Sequence, residues 1–156
     1  IQQEVLPRLH QQNFQSIGII TPYRDQVTAI RKQLGDTYEV DTVHKFQGRE
    51  QDAIILTSVD NVITDFVDDP HMLNVAVSRA GPSLAVITSQ DPRNDQTNYG
   101  DLARYIEYNV VHVGMFRRSS RVRSILYSIC SIGVMPSSAE NICKSISGYL
   151  STILRT

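Results

Sequence analysis

Apolar and polar positions along residues 1–109 switch between two periods. Residues 16–21 form a short apolar run ended by Pro22, the pattern of a buried strand. From Arg24 the spacing changes: Val27, Ile30 and Leu34 fall on one helical face, and Gly35 is a stop signal. Residues 38–43 predict a second strand, residues 44–51 a polar loop, and residues 53–59 the clearest buried strand. Residues 60–69 hold four aspartates and little periodicity, which predicts a surface loop. Asp69 is placed to cap a helix with Pro70 in its first turn, running to about Ala80, where Gly81-Pro82 breaks it. Residues 84–88 predict another strand, and residues 98–109 a helix with Leu102, Tyr105 and Ile106 on one face. Beyond Asn109, residues 124–130 fit either helix or strand and residues 137–154 fit a helix. The chain begins at Ile1 inside a helix-like stretch, so a piece of a longer protein is expected.

Apolar strands separated by helices place the chain in the α/β class, with a parallel sheet covered on both faces. Ligands on such sheets sit at the carboxyl ends of the strands. Polar segments follow the strands at residues 21–26, 44–50 and 88–91, and chain order predicts that the first two share one edge. The expected organisation is one domain over residues 1–109 and a divergent, partly helical extension over residues 110–156.

Composition changes this picture little. Apolar residues make up 41% of the 156 and charged residues 20%, as in ordinary globular chains, and the formal net charge is −1. The charge is unevenly spread. Residues 1–111 carry nine Lys/Arg and fifteen Asp/Glu, a net of −6, whereas residues 112–156 carry six and one, a net of +5. A basic tail after an acidic body points to a polyanion contact or an acidic partner face. Cys130 and Cys143 make neither a metal spacing nor a disulfide framework, and His10, His71 and His112 are scattered, so no metal site is expected. The longest mostly apolar run, residues 125–135, is far shorter than the ~20 residues of a membrane span. No membrane partner is expected, and without a signal peptide the expected location is cytoplasmic or nuclear.

Three segments carry a family likeness. Thr21-Pro22-Tyr23-Arg24-Asp25-Gln26 resembles motif IV of the superfamily 1 helicases, in the branch that includes RNA-surveillance and replication helicases. The eleven residues Val40-Asp41-Thr42-Val43-His44-Lys45-Phe46-Gln47-Gly48-Arg49-Glu50 resemble motif V. Leu73-Asn74-Val75-Ala76-Val77-Ser78-Arg79-Ala80 resembles motif VI. Motif V is the specific one, and all three occur in order beside the expected elements. The likeness covers about residues 1–109. It implies a RecA-like domain of the P-loop NTPase type, with a central parallel sheet flanked by helices. That domain would be the second motor domain of a helicase, without a P-loop of its own.

The chemistry asked of these residues can be argued independently. Phosphoryl transfer needs positive charge where negative charge grows, and a guanidinium supplies it with fixed charge and forked donors. Arg79 is the candidate arginine finger; the plainer reading is a surface arginine paired with a carboxylate. By resemblance Glu50 contacts the nucleotide sugar or couples the two sites, and a carboxylate suits a ribose hydroxyl; the plainer reading is a solvated loop charge. Gly48 either takes a positive φ or lets a ligand approach the backbone, or is an ordinary turn glycine. Arg24 either reaches the nucleotide phosphates or lies in solvent. Tyr23 and Gln26 flank the same expected nucleotide edge, with packing and capping as the other reading. Thr42, His44 and Lys45 look like nucleic-acid contacts, since short hydroxyl and backbone donors bind phosphates without reading sequence; the plainer readings are a loop imidazole bonded to a neighbour for His44 and a solvated lysine for Lys45. Thr21 and Pro22 are expected on the same backbone, Ser78 to orient Arg79, and Asp41 to brace the loop.

Two signatures are absent. A phosphate-cradling loop would read G-x-x-x-x-G-K-[ST], yet no Gly-Lys pair occurs. No Asp-Glu dipeptide follows an apolar strand, since Asp60 precedes Asn61. The resemblance therefore implies ATP with Mg2+ bound mainly by an N-terminal RecA-like domain of the same protein. The nucleic acid would be single-stranded or duplex DNA or RNA, and the 156 residues alone would be inactive as an ATPase. The alternative is a non-enzymatic helicase-like interaction module. Two departures stand out. Gly81-Pro82 replaces a lysine-containing turn of the family, and after Asn109 only Arg121-Val122-Arg123-Ser124 resembles it.

Overall fold

The structure of the protein is a computed structural model. It describes residues 1–46, 48–89, 91–109 and 124–127, and of residues 105–109 and 124–127 the backbone alone. The predicted helix over residues 137–154, the Tyr105 and Ile106 side chains, Gln47, His112, both cysteines and Arg121-Val122-Arg123 lie outside what is described.

The elements run α1 (Val5–Gln11), β1 (Ile17–Thr21), α2 (Arg24–Leu34), β2 (Glu39–Thr42), β3 (Gln51–Thr57), α3 (Pro70–Ser78), β4 (Ala80–Ser89), α4 (Asn98–Asn109) and β5 (Ser124–Tyr127). They form one sheet of order β2-β1-β3-β4-β5. The first four strands are parallel, and β5 pairs antiparallel with β4. The chain is thus an α/β domain of RecA-like type. Its parallel sheet carries an antiparallel edge strand from the region expected to be a divergent extension.

The apolar strand runs are buried on both faces because successive side chains point to opposite sides. Ile20, Ile54, Leu56, Leu84 and Val86 face a core shared with α3 and with Tyr99 and Leu102 of α4. Ile17, Ile19, Ala53, Ile55 and Ala85 face a second core shared with α1 and α2. Val27 and Ile30 are buried as their spacing predicts, and Gly35 ends α2 with φ +67°. Asp69 caps α3 by accepting from the His71 N–H at 2.9 Å, with Pro70 at the helix start.

Several boundaries differ from the sequence expectation. Helix α3 stops at Ser78, so Arg79 is its C-cap rather than a residue within it. Gly81-Pro82 is not a break between elements: β4 already begins at Ala80. The register with β3 slips there, two steps from Gln51 to Ala53 matching three from Ala80 to Ser83. A bulge accepts proline because its missing N–H costs no ladder bond. A Cβ on Gly81 would lie 2.9 Å from the Gln51 carbonyl oxygen, so the pair suits a site of close strand approach. The predicted loop 44–51 is instead a 3-10 turn over Val43–Phe46 followed by a short crossing to β3. That turn lies against the sheet. Phe46 is fully buried, and a Cβ on Gly18 of β1 would come within 2.8 Å of the Phe46 ring. The loop over residues 58–69 is also less open than predicted, with Ile63 and Val67 buried in the core.

Candidate functional site

The three motif segments meet the sheet at two different ends. At the carboxyl ends, Thr21 closes β1 and pairs in register with Thr42, which closes β2. Pro22, Tyr23, Arg24 and Gln26 follow Thr21 into α2, and His44 and Lys45 follow Thr42 into the 3-10 turn. At the amino ends, Gln51 opens β3 and Ala80 opens β4, and the Gln51 N–H donates to the Arg79 carbonyl at 3.1 Å. Glu50 and Arg79 therefore flank one backbone hydrogen bond. Six steps along β3 separate Gln51 from Thr57, which is about 20 Å at the rise of a parallel strand.

This geometry corrects the expectation that Tyr23, Arg24 and Gln26 share a nucleotide edge with Gly48 and Glu50. The first set stands at the carboxyl ends beside Thr42, His44 and Lys45. The second set stands at the amino ends beside Arg79. The expectation erred because it treated the segment of residues 44–50 as one loop at one edge. The chain in fact starts at the carboxyl end of β2 and crosses a whole strand length before entering β3.

The amino-end group is built on α3 and the crossing segment. Arg79 is partly exposed at the helix C-cap. Its Nε and one terminal nitrogen donate to the Ser78 hydroxyl oxygen at 3.3 and 3.1 Å, and that hydroxyl donates to the Val75 carbonyl at 2.9 Å. Among the described residues no carboxylate forms an ion pair with Arg79. Glu50 is exposed, and Gly48 has φ +86°, the left-handed region in which glycine is unstrained. Arg49 is tied to Glu39 at the start of β2, and Gln51 donates to the same carboxylate at 2.7 Å, so the crossing segment is pinned on either side of Glu50.

The carboxyl-end group divides into internal and outward residues. Thr21 is fully buried; its hydroxyl donates to Gln26 Oε1 and accepts from the Tyr23 N–H at 3.4 Å. Thr21 and Gln26 thus shape the turn from β1 into α2. Arg24, His44 and Lys45 are exposed, and Lys45 stands 3.8 Å from Asp41. Asp41 also accepts from the Thr42 N–H at 2.8 Å and from Arg31 at 3.1 Å, and Arg31 in addition caps the Val40 carbonyl at the sheet's β2 edge. The Tyr23 phenol donates to Asp60 at 2.8 Å, and burial first of all, with Asp60 adding to it and Thr64 opposing, holds it above its ordinary pKa.

Two residues that shape this end carried no signal in the sequence. Asp60 reads as one more acidic loop residue, yet it receives both Tyr23 and the Ser58 hydroxyl at 2.8 Å. Asn94, in an Asp-Pro-Arg-Asn stretch that reads as a turn, is buried. It accepts from the Ile63 N–H at 2.8 Å and donates to the Asn61 carbonyl at 3.0 Å and the Ser89 hydroxyl at 3.1 Å.

Comparisons with known proteins agree with the family likeness. Residues 2–91, more than half of the chain, match the AAA domain family. A probable helicase of Dictyostelium discoideum is 33% identical over 101 residues, 60% of this chain and 10% of that protein. The DNA replication ATP-dependent helicase/nuclease of Schizosaccharomyces pombe is 33% identical over 100 residues, 60% of this chain and 7% of that protein. The regulator of nonsense transcripts 1 homolog of Arabidopsis thaliana is 34% identical over 112 residues, 63% of this chain and 9% of that protein. The chain therefore spans a tenth or less of the length of these relatives. Among the described residues no helix is long and apolar enough to cross a membrane. A RecA-like sheet, three motif segments in their family order and this set of relatives lead to one conclusion: the chain belongs to the AAA domain family, as a domain of the superfamily 1 helicases.

Proposed function

We propose that this domain is the second motor domain of an ATP-dependent helicase, using its two sheet ends for two ligands. The amino end closes on a triphosphate held with Mg2+ mainly by a first RecA-like domain of the same protein. Arg79 supplies the arginine finger, Ser78 orients it, Glu50 reaches the ribose and Gly48 allows close backbone approach. The carboxyl end offers part of the nucleic-acid track. Thr42, His44, Lys45, Pro22 and Arg24 face the phosphate backbone of DNA or RNA, while Thr21, Gln26 and Tyr23 set the shape of that edge.

The observation that carries this reading is the state of Arg79. Its guanidinium stands partly exposed at a helix terminus, held by one hydroxyl, with no acidic partner among the described residues. A finger must keep its donors for a phosphoryl group supplied from outside, and an arginine without an acidic partner does so. Domain closure on the triphosphate would then bring charge to the reacting centre, and opening would release it. Such a cycle, coupled to a phosphate-gripping track, moves a motor along a strand.

The test uses the full-length gene product containing both motor domains. Arg79→Ala is expected to lower nucleic-acid-stimulated ATP hydrolysis by roughly 10³-fold or more, and Arg79→Lys to rescue little of it because a lysine lacks the fork. Hydrolysis within a few-fold of wild type in Arg79→Ala would overturn the finger assignment. A wild-type protein with no nucleic-acid-stimulated hydrolysis would point to the interaction module.

A further inference from the structure

The loop leaving β3 presents the one exposed phenylalanine or tyrosine ring among the described side chains. Phe66 is 56% exposed, yet it sits in an anchored segment. Its neighbour Val67 is fully buried, and the Val67 and Asp68 N–H groups both donate to the Thr64 carbonyl at 2.9 Å. Three residues earlier, Ile63 is buried and its N–H is held by Asn94 at 2.8 Å. A ring held outward between two buried side chains is not exposed because its loop is loose. A single exposed ring needs no ligand to explain it; the informative feature is the second ring fixed beside it.

The surroundings of Phe66 say what. Its ring lies 5.7 Å from that of Tyr23, at 35°. Tyr23 is itself fixed by the 2.8 Å bond from its hydroxyl to Asp60. The two rings therefore form a pre-set aromatic surface rather than two independent rotors. β1 lies between β2 and β3 in the sheet, so Tyr23 comes between the Thr42–His44–Lys45 edge and the Phe66 loop. Lys45, itself 3.8 Å from Asp41, stands on one side of the row and the two rings, one of them in a loop that also carries four aspartates, on the other. That order matches single-stranded nucleic acid, which carries phosphates along one side and flat apolar bases along the other.

We propose that Tyr23 and Phe66 form a stacking platform for an unpaired nucleobase, with Asp60 as the positioning residue that sets the Tyr23 ring. The proposal rests on the track reading above and adds a base-contacting site to it. Its occupant is a base of single-stranded DNA or RNA. Stacking selects unpaired over duplex strands without reading sequence, because every base has a π face.

The experiment measures binding of the 156-residue chain to a 15-nucleotide oligo(dT) and to an abasic strand of the same length, at low salt. Phe66→Ala is expected to weaken oligo(dT) binding by about 5-fold or more, the usual range for loss of base stacking. It should leave abasic-strand binding unchanged. Tyr23→Phe, which keeps the ring but loses the bond to Asp60, is expected to fall between Phe66→Ala and wild type. Lys45→Ala is expected to weaken both strands equally. If Phe66→Ala binds oligo(dT) as wild type does while Lys45→Ala is impaired, the platform is wrong and the track stands. If Phe66→Ala weakens both strands equally, the ring serves the fold of the loop and the platform is again wrong. If the wild-type chain binds neither strand, the track reading falls and the platform with it.

Discussion

At the scale of single residues, the buried polar groups matter most. Asn94 is 4% exposed and joins three separate backbone and side-chain groups from residues 61, 63 and 89. Its backbone carbonyl oxygen also sits where a Cβ on Gly100 would come within 2.0 Å, so α4 starts against it. Asn94→Ala would leave the Ile63 N–H buried without its partner, at a cost of about 2–3 kcal/mol. Urea unfolding is expected to show that loss, with a melting temperature lower by about 5–10 °C. A loss under 0.5 kcal/mol would mean that the Ile63 N–H finds a substitute acceptor. The same residue shows where sequence reasoning stops. Asn after Asp-Pro-Arg reads as a turn former, and nothing local says that its amide faces inward. Arg79 is the opposite case. Its candidate role was visible from its neighbours in the chain, whereas its lack of an acidic partner among the described residues is a fact of three-dimensional placement alone.

At the scale of elements, the segment from Val43 to Glu50 is the informative one. Residues 44–50 are polar and read as a loop after a strand ending at Val43, but Val43 opens a 3-10 turn, and both it and Phe46 are core residues. Helical or strand periodicity cannot reveal this, because a single 3-10 turn offers too few positions for a repeat. The turn is held down by Phe46 over Gly18, where a Cβ would approach both the Phe46 ring and Ile54 at 2.8 Å. Gly18→Ala is therefore expected to overpack the site and cost about 1–3 kcal/mol. In a double-mutant cycle with Phe46→Leu, the smaller side chain should recover at least about 0.5 kcal/mol of that loss. Strict additivity would show that Phe46 does not press on Gly18. The Gly81-Pro82 pair teaches a related lesson: read locally it terminates a helix, but paired with β3 it becomes a bulge inside a strand. By contrast, α2, the Asp69 cap and the Gly35 stop were all legible, since each depends on residues within one helical turn.

At the scale of the whole molecule, the two-ended arrangement sets what the chain can do alone. The 156 residues contain no phosphate-cradling loop. Arg79, with Arg49 already tied to Glu39, cannot hold a triphosphate and a metal ion together. Purified alone, the chain is expected to release no phosphate from ATP above the buffer rate and to bind ATP weakly. Clear phosphate release that disappears in Arg79→Ala would contradict that. Addition of a first motor domain in trans is expected to restore hydrolysis only when Arg79 is present.

The chain alone determined the α/β class, the order of strands and helices, most helix ends, and the motif likeness that the family comparison bears out, because these depend on local spacing and on short runs of residue types. The tertiary structure decided which of those residues stand together. A strand about 20 Å long separates neighbours in one motif, while sheet pairing joins residues from different motifs. That is why the Gln51 N–H, next to Glu50, bonds to the Arg79 carbonyl and why the Tyr23 ring lies beside that of Phe66, although neither pairing has any signature in the spacing of the sequence.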